Sequence, residues 1–127
     1  MTQRHTVLVS LAANCDAEQN LSKAHKRLAE VLSHLEYTQA IWTEPIGTKR
    51  KDLYLNQLAK GECEADYPTL SALLKDMEAD MGRTQEDRQA GIVRIDLDIL
   101  LFDDVRHHEK DWQRPYVKRL LPEVMAK

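Results

Sequence analysis

Apolar and polar positions along the chain fall into two periods. Residues 5–13 (His-Thr-Val-Leu-Val-Ser-Leu-Ala-Ala) form a short apolar run that predicts a buried strand. Asn14, Cys15 and Asp16 make a turn, and Asp16 with Gln19 three residues on has the spacing of a helix start. Leu21, Leu28, Leu32 and Leu35 form one apolar stripe, which predicts a helix running to about Leu35. Tyr37 to Thr43 is rich in aromatic and β-branched residues and predicts a second strand, broken by Glu44-Pro45-Ile46-Gly47. Thr48 to Asp52 is polar and basic without period and predicts a mobile loop. Leu53 to Ala59 alternates as a third strand, and Gly61 to Asp66 reads as a connection.

Pro68 suits a first helical turn. Leu70, Leu73, Leu74, Met77 and Met81 then mark one buried helix face, and Gly82 marks its stop. Residues 83–92 are polar and predict a long loop, mobile in the free protein and closing over a ligand. Val93 to Phe102 is the clearest strand, and a last helix is expected from Arg114 to Met125. Strands and helices in this order predict an α+β fold: an antiparallel sheet with helices on one face.

Candidate chemistry sits on the last strand. In Arg94-Ile95-Asp96-Leu97-Asp98-Ile99-Leu100, alternation turns Ile95, Leu97, Ile99 and Leu101 toward the helices, and Arg94, Asp96 and Asp98 the other way. Two carboxylates two residues apart on a strand are about 7 Å apart and repel. A shared divalent cation relieves that repulsion, and hard oxygen ligands suit Mg²⁺ held together with substrate phosphates. Taken alone, the same pattern also fits the solvated face of a half-exposed sheet. Arg83 and Arg88 on the preceding loop, with Arg94, point to a polyphosphate ligand. Neither Gly-x-x-x-x-Gly-Lys nor Gly-x-Gly-x-x-Gly occurs.

Composition narrows the partners. The 127 residues fit one domain over residues 1–127. Eighteen basic against 21 acidic residues give a formal charge of −3, which argues against duplex nucleic acid as a ligand. No apolar run reaches membrane-spanning length, and no apolar signal core follows Met-Thr-Gln-Arg-His. Only Cys15 and Cys63 are present, without metal-type spacing; they are expected to pack as small apolar residues in a reducing cytoplasm.

These features together resemble the hydroxymethyl-dihydropterin pyrophosphokinase family over nearly the whole chain. Asp96-Leu97-Asp98-Ile99-Leu100 resembles its metal-binding signature, and Glu78 followed by Gly82-Arg83 resembles the end of its second helix. Pro45-x-Gly47 and Tyr54-Leu55-Asn56 resemble its pterin-side loop and third strand, and Asn14 resembles the end of a Gly-Ser-Asn turn. His108, Arg114 and Tyr116 keep the order of its C-terminal part. The resemblance implies a ferredoxin-like core and transfer of the pyrophosphoryl group of ATP, with two Mg²⁺ ions, onto a reduced pterin. It further implies Asp96 and Asp98 as metal ligands and Thr43, Glu44, Ile46, Tyr54, Asn56 and Tyr116 around the pterin. Glu78, Ile99, His108 and Arg114 would bind the nucleotide, and Arg83, Arg88 and Arg94 would act in catalysis. Tyr54 and Tyr116 supply planes for a flat heteroaromatic, and Asn56 an edge reader.

The chain departs from that pattern in places. Ala12-Ala13-Asn14 replaces the Gly-Ser-Asn turn, Ala90-Gly91-Ile92-Val93 replaces a Trp, Gly, Pro and Arg series, and Gln85 stands for a loop arginine. Arg94 is expected beside Asp96 as a substitute for the arginine missing at Val93. Two other readings stay open: a non-catalytic relative that binds pterin or nucleotide, and a ferredoxin-like assembly domain with no small ligand. The remaining histidines, His5, His25, His34 and His107, are expected at the surface, and Trp42 and Trp112 in packing.

Overall fold

The computed structural model describes residues 3–45, 52–82 and 84–125. Its centre is β1 (His5–Ala13), whose Val7, Leu8, Val9 and Leu11 are fully buried. Burial on both faces explains the unbroken apolar run. β1 pairs antiparallel with β4 (Tyr54–Cys63) on one side and with β5 (Asp96–Phe102) on the other. β2 (Ser33–Tyr37) and β3 (Ile41–Thr43) share the outer edge of β4, and the two-residue β6 (Val105–Arg106) pairs with the end of β5. The result is a six-stranded antiparallel sheet of α+β class.

One face of the sheet carries α1 (Ala17–Leu28) and α2 (Tyr67–Asp80). Val7, Val9, Leu11, Leu55, Ala59, Leu97 and Ile99 meet Leu21, Ala24, Leu28, Leu70, Leu74 and Met77 there. The opposite face is covered at one end only. A single 3-10 turn (Asp111–Gln113) and α4 (Pro115–Leu120) lay Trp112, Val117 and Leu120 on Leu8, Leu58 and Leu100. The Trp112 indole N–H donates to the Leu100 and His107 carbonyls, which fixes this segment to β5. The other end of that face is left for the candidate site.

Several expected boundaries move. The first helix stops at Leu28 rather than near Leu35, and Leu32 and Leu35 reach the core from the turn and β2 instead. Asp16 has φ 44° and makes no side-chain cap. The expected strand 37–43 is two strands, because Thr38 enters the ladder of β4 with its side chain: Oγ1 accepts from the Leu58 N–H at 3.0 Å. β4 runs on through Gly61, expected as a connection. A Cβ there would lie 3.2–3.3 Å from Leu35, Leu32 and the Ser33 carbonyl, so glycine lets the strand pass beneath the turn. The C-terminal helix ends at Leu120 and continues only as a 3-10 turn (Leu121–Glu123), where Pro122 has no N–H to donate. The loop expected at 48–52 lies, apart from Asp52, outside the described residues.

The stretch expected as a loop at 83–92 contains α3 (Gln85–Ala90). The Thr84 hydroxyl accepts from the Asp87 N–H, and Gly91 closes the helix at φ 73°. Arg94 anchors it: Nε lies 2.8 Å and Nη2 3.4 Å from the buried Asp87 carboxylate. Asn14 ties the same segment to β1, donating to the Gly91 carbonyl and accepting from the Val93 N–H.

Hydrogen bonding to Arg94 holds the Asp87 carboxyl below the usual carboxylate range. A depressed carboxyl stabilises the fold above its unfolded-state value and loses that contribution as pH falls through its folded-state value. Arg94→Ala should therefore lower the melting temperature at pH 7, and the gap from the parent should shrink on acidification toward pH 3, as read by thermal melts across that range. Leu100→Ala, which opens a cavity under Trp112, should cost about 2–5 kcal/mol in denaturant unfolding.

Candidate active site

The register of the sheet assembles the site. Ala12 on β1 lies opposite Asn56 on β4 and opposite Asp96 on β5; Ser10 lies opposite Asp98. Residues directly opposite share a face, so Asn56, Ala12 and Asp96 form one row across three strands. The small side chain of Ala12 leaves the middle of that row open. The pocket above it, about 200 Å³, is lined by Ser10, Ala12, Thr43, Glu44, Tyr54, Asn56, Asp96, Asp98, Asp111, Arg114 and Tyr116.

At the β4 end, the Asn56 amide is buried and its Nδ2 donates to Thr43 Oγ1 at 2.7 Å. That bond, with longer ones to the Ile41 and Tyr54 carbonyls, sets the orientation of the amide. Tyr54 leaves β4 on the same face, and α4 brings Tyr116 over from the C-terminal segment. Burial first, and then the Asp111 charge, raise the Tyr116 hydroxyl above its ordinary value, against the pull of Arg114. Arg114 reaches the pocket with Nε held 3.0 Å from Asp111 Oδ1.

At the β5 end, Asp96 and Asp98 project from one face as alternation predicts. On the side away from β1, no described strand pairs with β5 at this point, because β6 pairs only with Leu101 and Phe102. Glu78 of α2 closes that edge instead: its buried carboxylate accepts from the Leu97 N–H at 2.7 Å. Asp98 Oδ1 lies 3.8 Å from Lys75 Nζ and 3.7 Å from His108 Nε2. His108 sits in a left-handed turn, φ 56°. Burial first, and then the Asp96 charge, push the Asp98 carboxyl up to about 6, against the pull of His108 and Lys75.

The donors fit Mg²⁺. Among the described residues no group of three or more His, Cys, Asp or Glu side chains forms an all-protein cage. Mg²⁺ beside a nucleotide needs only one or two carboxylates, with phosphate and water completing the shell. A carboxyl crowded by a like charge is also the kind of group a cation relieves.

The site residues expected from the sequence divide. Thr43, Glu44, Tyr54, Asn56, Asp96, Asp98, Arg114 and Tyr116 line one pocket, and His108 adjoins it through Asp98. Ile46 and Arg83 lie outside the described residues. Ile99 turns its side chain into the core and offers the site only its backbone. Glu78 meets the edge of β5 rather than the pocket floor. Arg88 is exposed on α3, and Arg94, expected beside Asp96, is turned to Asp87. Leu101, expected among the helices, packs on the opposite face, because the pairing of β1 with β5 shifts register between Leu8 and Val9.

Other residues differ from expectation or were missed. Trp112 is buried as expected, whereas Trp42 is half exposed. His25 stacks on Tyr37, His107 stacks on Tyr67, and His5 pairs with Asp103, so these histidines are not plain surface groups. Ser10, Lys75 and Asp111 belong to the site without having been singled out. Lys75 and Asp111 each stand three residues before a group already named, Glu78 and Arg114, which is the spacing of helical neighbours.

A family model described as 7,8-dihydro-6-hydroxymethylpterin-pyrophosphokinase (HPPK) matches residues 8–126. The mitochondrial folate synthesis bifunctional protein of Pisum sativum is 29% identical over 135 residues, an alignment covering 98% of this chain and 26% of that protein. The folate synthesis bifunctional protein of Arabidopsis thaliana is 26% identical over 130 residues, covering 94% of this chain and 27% of that one. The chain thus spans about a quarter of the length of the curated relatives it matches. The family match runs from the central strand through the carboxylate strand to the C-terminal turn, and on that extent the chain belongs to the 7,8-dihydro-6-hydroxymethylpterin-pyrophosphokinase family.

Proposed function

We propose that the protein transfers pyrophosphate from ATP to 6-hydroxymethyl-7,8-dihydropterin, a step of folate synthesis, with Mg²⁺ at Asp96 and Asp98. The observation that carries this reading is the single pocket that joins a stacking and amide-reading end to a carboxylate end. In the transfer, the pterin hydroxymethyl oxygen attacks the β-phosphorus of ATP. The bond from that phosphorus to the α,β-bridging oxygen breaks, AMP leaves, and the hydroxyl proton passes to water. Two bound Mg²⁺ ions would supply charge neutralisation on the phosphates.

The chain's own groups do the rest. Tyr54 and Tyr116 flank the flat ring, and Asn56, already oriented by Thr43, reads its donor–acceptor edge. Glu44 walls the same end, and by the family resemblance Ile46 would bind the pterin beside it. Arg114, braced by Asp111, and His108 meet the phosphates; by the family resemblance Arg83 would join them. Glu78 keeps the Asp96–Asp98 segment straight by holding Leu97, and the Ile99 backbone borders the nucleotide. Catalysis here is positioning and electrostatics, which is why a fixed Arg114 matters. We read the chain as one domain acting in a reducing compartment, the cytoplasm, on the strength of its two free thiols. No described helix is long and apolar enough to cross a membrane.

A second reading has one observation in its favour. Arg94 is committed to Asp87 and Arg88 is exposed on α3, so neither of these two arginines lines the pocket. A relative that binds pterin and nucleotide with weakened turnover fits that arrangement. Single-turnover AMP release with MgATP and hydroxymethyl-dihydropterin decides: pterin diphosphate and AMP in equal amounts support the enzyme, and tight binding of both substrates without AMP supports the binding module.

Asp96→Asn and Asp98→Asn should each abolish Mg²⁺-dependent binding of a non-hydrolysable ATP analogue in calorimetry. Asp98→Asn should at the same time stabilise the metal-free protein at pH 8 by about 1–3 kcal/mol, because it removes a crowded charge. The sign follows from the raised carboxyl, which favours the fold while protonated and loses that advantage as pH rises through about 6. Tyr54→Ala and Tyr116→Ala should each weaken pterin binding about fivefold or more, read by fluorescence titration, through lost stacking and burial.

A further inference from the structure

Helix α2 places Lys75 and Glu78 three residues apart, so both reach the open edge of β5 from the same side. The two side chains do different work there. Glu78 is buried and fixed by the Leu97 N–H. Lys75 is largely exposed, and its ammonium stands 3.5 Å from both Glu78 oxygens and 3.8 Å from Asp98 Oδ1. All three contacts are long for a charge-assisted hydrogen bond, so the ammonium is held loosely by the surrounding negative charge. A flexible stem and three donors let it change partners at little cost.

The positive charges around the carboxylates make this lysine stand out. Arg94 is bound to Asp87, and Arg88 borders a separate surface hollow with Thr84, Gln85 and Gln89. On the α2 side of Asp98, Lys75 is the cation the described structure brings within 4 Å. A metal ion arriving at Asp98 would repel that ammonium, while the phosphates arriving with it would attract it.

We infer that Lys75 is a nucleotide-positioning residue of this site: it neutralises Asp98 while the site is empty and turns onto a phosphate oxygen when a nucleotide binds. The inference rests on the pyrophosphokinase reading. It gives α2 a share in supplying positive charge to the polyphosphate. Lys75 then contributes to binding from a helix already fixed against the sheet, so its reach does not depend on loop closure.

Calorimetry with a non-hydrolysable ATP analogue and Mg²⁺ tests this on the parent, Lys75→Gln and Lys75→Arg, with melting curves taken alongside. Lys75→Gln should weaken the analogue about tenfold, since a hydrogen bond to a charged phosphate is lost. That difference should narrow at high salt, and Lys75→Arg should restore most of the affinity. Affinity in Lys75→Gln equal to or above the parent's, with or without a lower melting temperature, overturns the inference, because a lysine that only neutralises Asp98 would alter stability and its loss would not weaken the nucleotide. A parent protein that binds no analogue in the presence of Mg²⁺ overturns the pyrophosphokinase reading, and this inference with it.

Discussion

Everything in the site follows from one strand being paired on both sides. β1 fixes the registers of β4 and β5 at once, so the row Asn56–Ala12–Asp96 is set by backbone hydrogen bonds rather than by contacts among the three side chains. Neighbouring strands lie about 4.8 Å apart, which puts the amide and the carboxylate roughly 10 Å from each other across an alanine. On the proposed function, that span would separate the part of a ligand to be recognised from the part to be transferred. The full burial of Val7, Leu8, Val9 and Leu11 makes a slip of β1 costly, because a shift of one residue would turn the whole row to the other face.

Much of this was legible in the alternation of β4 and β5. Tyr54 with Asn56, and Asp96 with Asp98, share faces by parity alone, and the helix ending at Gly82 was marked by its apolar stripe. What the sequence hid depended on partners far along the chain. α3 is polar on almost every side and has no apolar period, yet Thr84, Asp87 and Gly91 carry a helix start and stop that were legible locally. Arg94 lies in a bend before β5, which begins at Asp96, so strand parity does not extend to it and its side chain turns to Asp87 instead of Asp96. Between the two strands of residues 33–43, Thr38 meets β4 through its N–H, its carbonyl and its hydroxyl, and Gln57 and Leu58, the residues it meets, lie about twenty positions further along the chain.

The two ends of the pocket are built to different tolerances. The β4 end is held in place: Asn56 is buried and its amide nitrogen is engaged by Thr43. The carboxylate end stores repulsion among Asp96, Asp98 and Glu78, partly relieved by Lys75 and His108 at nearly 4 Å. A fixed recognition end and a charge-frustrated transfer end are what a binding site needs if its second ligand brings cations with it. On the proposed function, substitutions that improve ligand-free stability at Asp98 would work against nucleotide binding.

The register shift opposite Leu8 and Val9 has a consequence for how β5 can change. The strand carries reactive groups in its first half and packing groups in its second, with Leu100 sitting where the pairing slips. Before the slip, even-numbered positions face the pocket; beyond it, Leu101 joins the cluster under the C-terminal segment and Phe102 returns to the main core. The slip acts as a phase joint. Adjustments to the packing half, by a lengthened turn after Phe102 or a repacked C-terminal helix, can be absorbed there without rotating the carboxylates, so the two halves of one strand are free to diverge at different rates.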